Sequence, residues 1–189
     1  ETDSAGNESS ATSNFTVIGD TSDPTANLST VTDDVGSVTG TLSSGDKTDD
    51  TALVLAGTNE TGSSVNVYNG TTLLGTATVT GTTWSYTATV ADGTTYQFNV
   101  KETDIAGNES SATTNFTVIG DTSAPTANIG SATDDVGSVI GTLSSGDSTD
   151  DTALVLSGTN ETGSSVNVYN GATLLGTATV TGTTWSYTA

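Results

Sequence analysis

The side chains that could do chemistry in this chain are almost all carboxylates. Its 189 residues hold 22 Asp and Glu against two bases, Lys47 and Lys101, for a net charge of −20, with no His and no Cys. Without His or Cys the usual bases, nucleophiles and soft metal ligands are missing. What remains is hard-ligand chemistry, oxygen from carboxylates, amides and backbone. The acids are also uneven. Asp33, Asp34, Asp46, Asp49 and Asp50 crowd into "TDDVGSVTGTLSSGDKTDD", while Asp92, Asp20, Asp23, Glu60 and Asp104 (with Asn108) lie in separate polar turns. Two such charges about 4 Å apart repel by roughly 1 kcal/mol in water and about 4 kcal/mol near a protein surface. A divalent cation reverses that sign. Calcium, which takes 6–8 oxygens flexibly, fits better than magnesium, which demands octahedral geometry and keeps its waters. The competing reading is a charged surface that only confers solubility. The paired "TDD" triplets at 32–34 and 48–50 favour calcium as the cofactor. Neither an EF-hand loop nor a G-G-x-G-x-D nonapeptide occurs.

The elements that must place these acids come as a repeat. Sliding the chain by 101 residues pairs positions 1–88 with 102–189, and 11 of the 88 pairs differ, leaving 77 identical. The acid cluster returns as Asp134, Asp135, Asp150 and Asp151, whereas Asp23 is Ala124 in the other copy and is not expected to be an essential ligand. A period near 100 is too long for solenoid repeats and suits a domain. The turn-rich "GDTSDPT" at 19–25 and "GDTSAPT" at 120–126 set the boundaries. Residues 1–19 then form the end of one unit, 20–120 a complete unit, and 121–189 the first part of the next. The end pieces are expected to be poorly ordered or completed by a neighbouring chain, head to tail.

Within the unit, period-two alternation points to strands. "TALVLAG" (51–57) aligns Leu53 with Leu55, and "SSVNVYNG" (63–70) aligns Val65 with Val67 before an Asn69-Gly70 hairpin turn. "TWSYTA" (83–88) aligns Trp84, Tyr86 and Ala88, "TYQFNV" (95–100) aligns Tyr96, Phe98 and Val100, and "TNFTVIG" (114–120) aligns Phe116 and Val118. Turn signals fall at Gly62, Gly75, Gly81, Gly93 and Ala106-Gly107-Asn108. The pattern predicts an all-β chain of tandem immunoglobulin-like sandwiches, with strands A (25–31), B (51–57), C (63–69), D (72–80), E (83–89), F (94–101) and G (111–119). That topology gathers Asp33, Asp34, Asp46, Asp49, Asp50 and Asp92 at the trailing end, where the chain leaves toward Asp121. It sets Asp20, Glu60, Asp104 and Asn108 at the leading end, where the chain comes in. The repeated "TD-x-AGNES" turn (103–110) reads equally as a capped Asx turn and as a source of ligand oxygens.

Charge excludes a basic nucleic-acid interface and docking on anionic lipid. No nucleic acid and no direct membrane contact are expected, and the partners are neighbouring repeats of the same chain. An enzyme is not expected: a carboxylate pair can hydrolyse glycosides, but these acids lie in turns with no evident cleft. An adhesive or carbohydrate-binding module is the alternative, with exposed Tyr68 and Tyr169 stacking on sugars.

In order and spacing, "TDDVGSV.GTLSSG..TDDT", "GTNETGSSVNVYNG..LLGT", "TWSYTA", "DGTTYQFNV" and "TDIAGNES" resemble the tandem bacterial immunoglobulin-like extender repeats of giant RTX-type and biofilm-associated surface adhesins. The resemblance implies a rod exported by type I secretion to the cell surface, stiffened by calcium at its junctions, that projects a distal binding domain. It also implies that Asp20, Asp121, Asp33, Asp34, Asp49 and Asp50 carry metal. Asn59-Glu60 departs from the small residue plus Glu usual at that corner, which leaves Glu60's role open.

Overall fold

The computed structural model describes residues 1–189 and contains strands and turns but no helix. The chain divides into two compact units, Glu1–Thr122 and Ser123–Ala189.

The first unit holds β1 (Thr30–Asp33), β2 (Gly40–Thr41), β3 (Lys47–Thr48), β4 (Ala52–Thr58), β5 (Ser64–Asn69), β6 (Thr72–Thr76), β7 (Thr78–Thr80), β8 (Thr83–Thr89), β9 (Thr95–Thr103) and β10 (Phe116–Gly120). These form two five-stranded sheets, ordered β2-β1-β4-β8-β7 and β3-β10-β9-β5-β6. Alternation dictates the core, because successive strand side chains face opposite ways and only one face is apolar. Leu53, Leu55, Val65, Val67, Trp84, Ala88, Phe98, Val100 and Val118 turn inward and are almost wholly buried between the sheets. Each buried Val, Leu or Phe among them stabilises the fold by about 1.5–3 kcal/mol.

The pairing also fixes which loops share an end. β1 runs antiparallel to β4 (Thr30↔Ala56, Thr32↔Val54), β4 antiparallel to β8, and β10 antiparallel to β9 (Phe116↔Phe98, Ile119↔Thr95). Thr30 therefore lies at the end where the chain comes in and Gly120 at the opposite one. Asp33, Asp34, Asp49, Asp50 and the Asp92 turn lie toward the trailing end with Asp121, but Asp46, expected there too, falls short of it. The reason is that residues 40–46 run back along β1 and then beside β10, with the Leu42 N–H on the Val31 carbonyl and the Gly45 N–H on the Thr117 carbonyl.

Several details depart from the strand expectations. Strand A begins at Thr30 rather than residue 25, because the preceding backbone is turned elsewhere: the Asn27 carbonyl accepts the Trp84 indole N–H at 3.0 Å, and Gly57, lacking a Cβ, lets that carbonyl approach. Strand D is two strands. The chain crosses between sheets at buried Ala77, so β6 pairs with β5 and β7 with β8. Gly75 is no turn but a strand residue of β6; a Cβ there would press on the Tyr86 ring, at 3.2 Å from its hydroxyl. The final strand is shorter than 111–119, and the connection after β1 is less loop-like than expected, since β2 hairpins onto β1 and β3 pairs in parallel with β10. Tyr68, expected to be exposed, is half-buried. Residues 1–23 are exposed throughout, with a single Thr2↔Glu8 bridge in the first turn.

The second unit holds β11 (Ser131–Asp134), β12 (Gly141–Leu143), β13 (Val155–Thr159), β14 (Asn167–Asn170), β15 (Thr173–Thr177), β16 (Thr179–Thr181) and β17 (Thr184–Thr188). Its first sheet, β12-β11-β13-β17-β16, copies that of the first unit, but its second is only the hairpin β14-β15. Residues 123–189 contain no counterpart of β9 and β10. A groove of about 410 Å³, lined by Leu156, Val166, Val168 and Trp185 among others, lies open where those strands sit in the first unit.

Candidate metal centre

At the trailing end of the first unit two carboxylates are taken out of water. Asp33, the last residue of β1, is 2% exposed, and Asp50, two residues before β4, is 1% exposed. Thr48 joins them: its hydroxyl donates to Asp33 Oδ2 at 2.6 Å and accepts the Asp50 N–H at 3.1 Å. Asp33 Oδ1 accepts the Val35 N–H, and Asp50 Oδ1 accepts the Ala52 N–H at 2.7 Å. Asp50 Oδ2 is buried and has no hydrogen-bond partner. Burying a carboxylate is costly unless it is paired and hydrogen-bonded; here Thr48 and the Val35 and Ala52 N–H groups supply hydrogen bonds. The wall of the site is Asp49, whose carboxylate packs against Gly36 at φ +75°, a backbone conformation that glycine adopts without strain. Asp34 is exposed on the same loop.

The second unit places the same residues in nearly the same arrangement. Asp134 and Asp151 are 3% and 8% exposed, the Thr149 hydroxyl donates to Asp134 Oδ2 at 2.6 Å, and Asp151 Oδ1 accepts the Ala153 N–H at 2.7 Å. Asp150 packs against Gly137, and the Asp135 N–H reaches Asp151 Oδ2 at 3.5 Å.

The other expected ligands are placed near these sites or on their own. Asp121 pairs with Lys47 at 2.6 Å, and its N–H donates to the Thr48 carbonyl, so it lies beside the strand that carries the centre. Asp92 Oδ1 accepts the Thr122 N–H at 2.7 Å, and Asp46 Oδ2 accepts the Ser43 N–H at 2.7 Å in a local turn. At the leading end, Asp104 Oδ1 accepts the N–H groups of Gly107 and Asn108, and Oδ2 accepts the Asn108 amide at 2.8 Å. Those bonds, the Asn108 amide foremost, hold the Asp104 carboxyl below its ordinary pKa. The turn is thus a capped Asx turn, and Asp3 with Asn7 forms the same one. Asn108 reaches the Asp20 carbonyl at 3.3 Å, Asp20 Oδ1 accepts the Ser22 N–H, and Glu60 is exposed. Nowhere do three carboxylates converge closely enough to form a ready-made metal cage.

Sequence reasoning passed over a second buried carboxylate. Glu102 in β9 is 0% exposed; its Oε1 accepts the Glu60 N–H at 2.6 Å and lies 2.6 Å from the Ser63 hydroxyl. Its Oε2 has no partner. The signal was present, because Glu102 continues the inward series Tyr96, Phe98, Val100, but a strand ending at 101 hides it.

No solved structure matches. Chitinase A1 of Niallia circulans is 41% identical over 127 residues, covering 63% of this chain and 16% of that enzyme, so the chain spans about a sixth of its relative. A family model described as a bacterial Ig-like domain matches residues 25–122, just over half the chain and nearly all of the two-sheet unit. The chain belongs to the bacterial Ig-like domain family.

Proposed function

We propose that this protein is a structural extender of a bacterial cell-surface adhesin, exported by type I secretion, in which calcium stiffens successive units and a distal domain does the binding. One observation carries the proposal: the buried Asp33–Thr48–Asp50 arrangement, in which Asp50 Oδ2 lacks any donor, has a counterpart in Asp134–Thr149–Asp151, where the matching oxygen has only the Asp135 N–H at 3.5 Å. Asp50 supplies the free oxygen, and Asp33, Asp34 and Asp49 supply the surrounding charge. Calcium brings only its charge; the chain's residues bind it and lose their mutual repulsion. Neighbouring Asp92 and Asp121 extend the acidic surface toward the linker. Near-identical copies suit a product whose value is length, and a chain without His or Cys suits a role without catalysis.

Extracellular millimolar calcium fills sites with dissociation constants of about 10⁻⁴–10⁻³ M. An ion present at about one to ten times its Kd adds about 0.4–1.4 kcal/mol to the stability of the unit that holds it. Thermal melting with calcium and with EDTA tests this. Calcium should raise the midpoints, and Asp50→Asn and Asp151→Asn should each remove one site from a calorimetric titration. Superimposable melting curves with and without the ion would overturn the reading.

The relation to a chitinase favours a second reading, an accessory module that holds a carbohydrate surface, with Tyr169, which is 56% exposed, as a stacking platform. Retention on chitin that is lost in Tyr169→Ala would favour it over the extender.

A further inference from the structure

We infer that the leading end of the first unit holds a second cation site, built from Glu102 and Asn59 and distinct from the aspartate clusters. Two buried oxygens there lack donors. Glu102 is fully buried with Oε2 unpartnered, and Asn59, 8% exposed, has Oδ1 unpartnered. Both belong to one corner. The Asn59 amide donates to the Glu60 carbonyl at 2.6 Å and to Ser63 Oγ at 3.2 Å, and Ser63 Oγ lies 2.6 Å from Glu102 Oε1. These bonds also fix which way each group points. With Nδ2 committed to the Glu60 carbonyl, Oδ1 must face away from it. With Oε1 committed to the Glu60 N–H and the Ser63 hydroxyl, Oε2 is the atom left over.

The corner is short of positive charge rather than of hydrogen bonds. The Ser63 hydroxyl has one proton and two acceptors in reach, Glu102 Oε1 and the Glu60 carbonyl at 2.8 Å, so it cannot serve Oε2 as well. The two basic side chains do not neutralise Glu102. Lys101 is paired with Glu109 at 2.6 Å, and Lys47 is paired with Asp121 at the other end. Two acceptor oxygens, one anionic, with no His or Cys in the chain, select a hard divalent cation. In the second unit Asn160 Oδ1 is likewise unpartnered, and the bonds of Asn160 to Glu161 O and Ser164 Oγ recur. Residues 123–189 contain no counterpart of Glu102, so the complete pair occurs once.

The site can be read separately from the aspartate cluster because it adjoins the tryptophan. Asn59 follows Gly57, which pairs with Trp84, and its amide lies 3.4 Å from the Gly81 carbonyl. Asp50 lies at the far end of β4, on the order of 30 Å away at about 3.3 Å per residue. Terbium, a luminescent stand-in for calcium, should therefore be sensitised by Trp84 only at the Glu102 corner. Excited where tryptophan alone absorbs, the whole chain should give terbium emission that calcium displaces. Glu102→Gln and Trp84→Phe should each abolish it, and Asp50→Asn should leave it. No sensitised emission in the unaltered chain, or emission that survives Trp84→Phe, overturns the inference.

A melting series guards against a purely structural role. In EDTA, Glu102→Gln should melt above the unaltered chain, since it removes an uncompensated charge and its amide can serve Asn59 Oδ1; in millimolar calcium the order should invert. An order indifferent to calcium means the corner holds water, and the inference falls.

Discussion

Residues 22–88 of the first unit and 123–189 of the second share 58 of 67 aligned residues, and yet the units differ in what they complete. Twelve buried apolar side chains form the core of the first, and three form that of the second. The carboxylate centre is nearly the same in both, differing in that Asp151 Oδ2 has the Asp135 N–H at 3.5 Å where Asp50 Oδ2 has no donor. The difference separates two constructions. The aspartate site needs only the first sheet and the connection between its first strands, because Asp33, Thr48 and Asp50 are tied to backbone within that stretch. The closed core needs β9 and β10, whose Phe98, Val100 and Val118 fill the space that stays an open groove beside Trp185.

The separation can be broken by mutation. Phe98→Ala, at a fully buried ring stacked on Tyr96 at 5.5 Å, should cost the first unit about 3–5 kcal/mol in urea unfolding while the second unit's transition stays put. A shift in both transitions would mean the cores are not separate. Gly36→Ala and Gly137→Ala test the shared part. Each places a Cβ on positive-φ backbone facing an aspartate, so each should cost about 1–2 kcal/mol, equally in the two units, and weaken calcium binding equally. Unequal losses would show that the centres are not equivalent.

Acid titration sharpens a smaller contrast. The native pKa of Asp104 is depressed, so its contribution is present above the ordinary aspartate pKa and fades as pH falls through the lowered value. Asp104→Ala should flatten the acid limb of the first unit's stability curve, and the second unit, with no such turn, should be indifferent. Least of all should be Lys47→Ser, which copies Ser148 of the second unit. Its pair with Asp121 is partly exposed, so the loss should stay below about 1 kcal/mol and vanish in high salt.

The fold was largely legible because alternation exposes which face is apolar: Leu53, Leu55, Val65, Val67, Phe98 and Val100 read directly as inward. The sheet crossing at Ala77 was not, since a small residue in a run of Thr and Leu carries no turn signal. The Asp33–Asp50 pairing was visible as two "TDD" triplets, but not that Thr48 links them or that the second Asp of one triplet stays exposed. Glu102 stayed hidden because composition reads an acid as outward, and only the strand's continuation to Thr103 shows otherwise.

The first unit takes its chain in at one end of the sandwich and releases it at the other, along β1 and β10. Tension applied through the linkers pulls these strands lengthwise against β4 on one side and against β9 and β3 on the other, with the ladder hydrogen bonds lying across the force. Those bonds must then rupture together instead of peeling one by one, so a lengthwise pull meets the whole ladder at once.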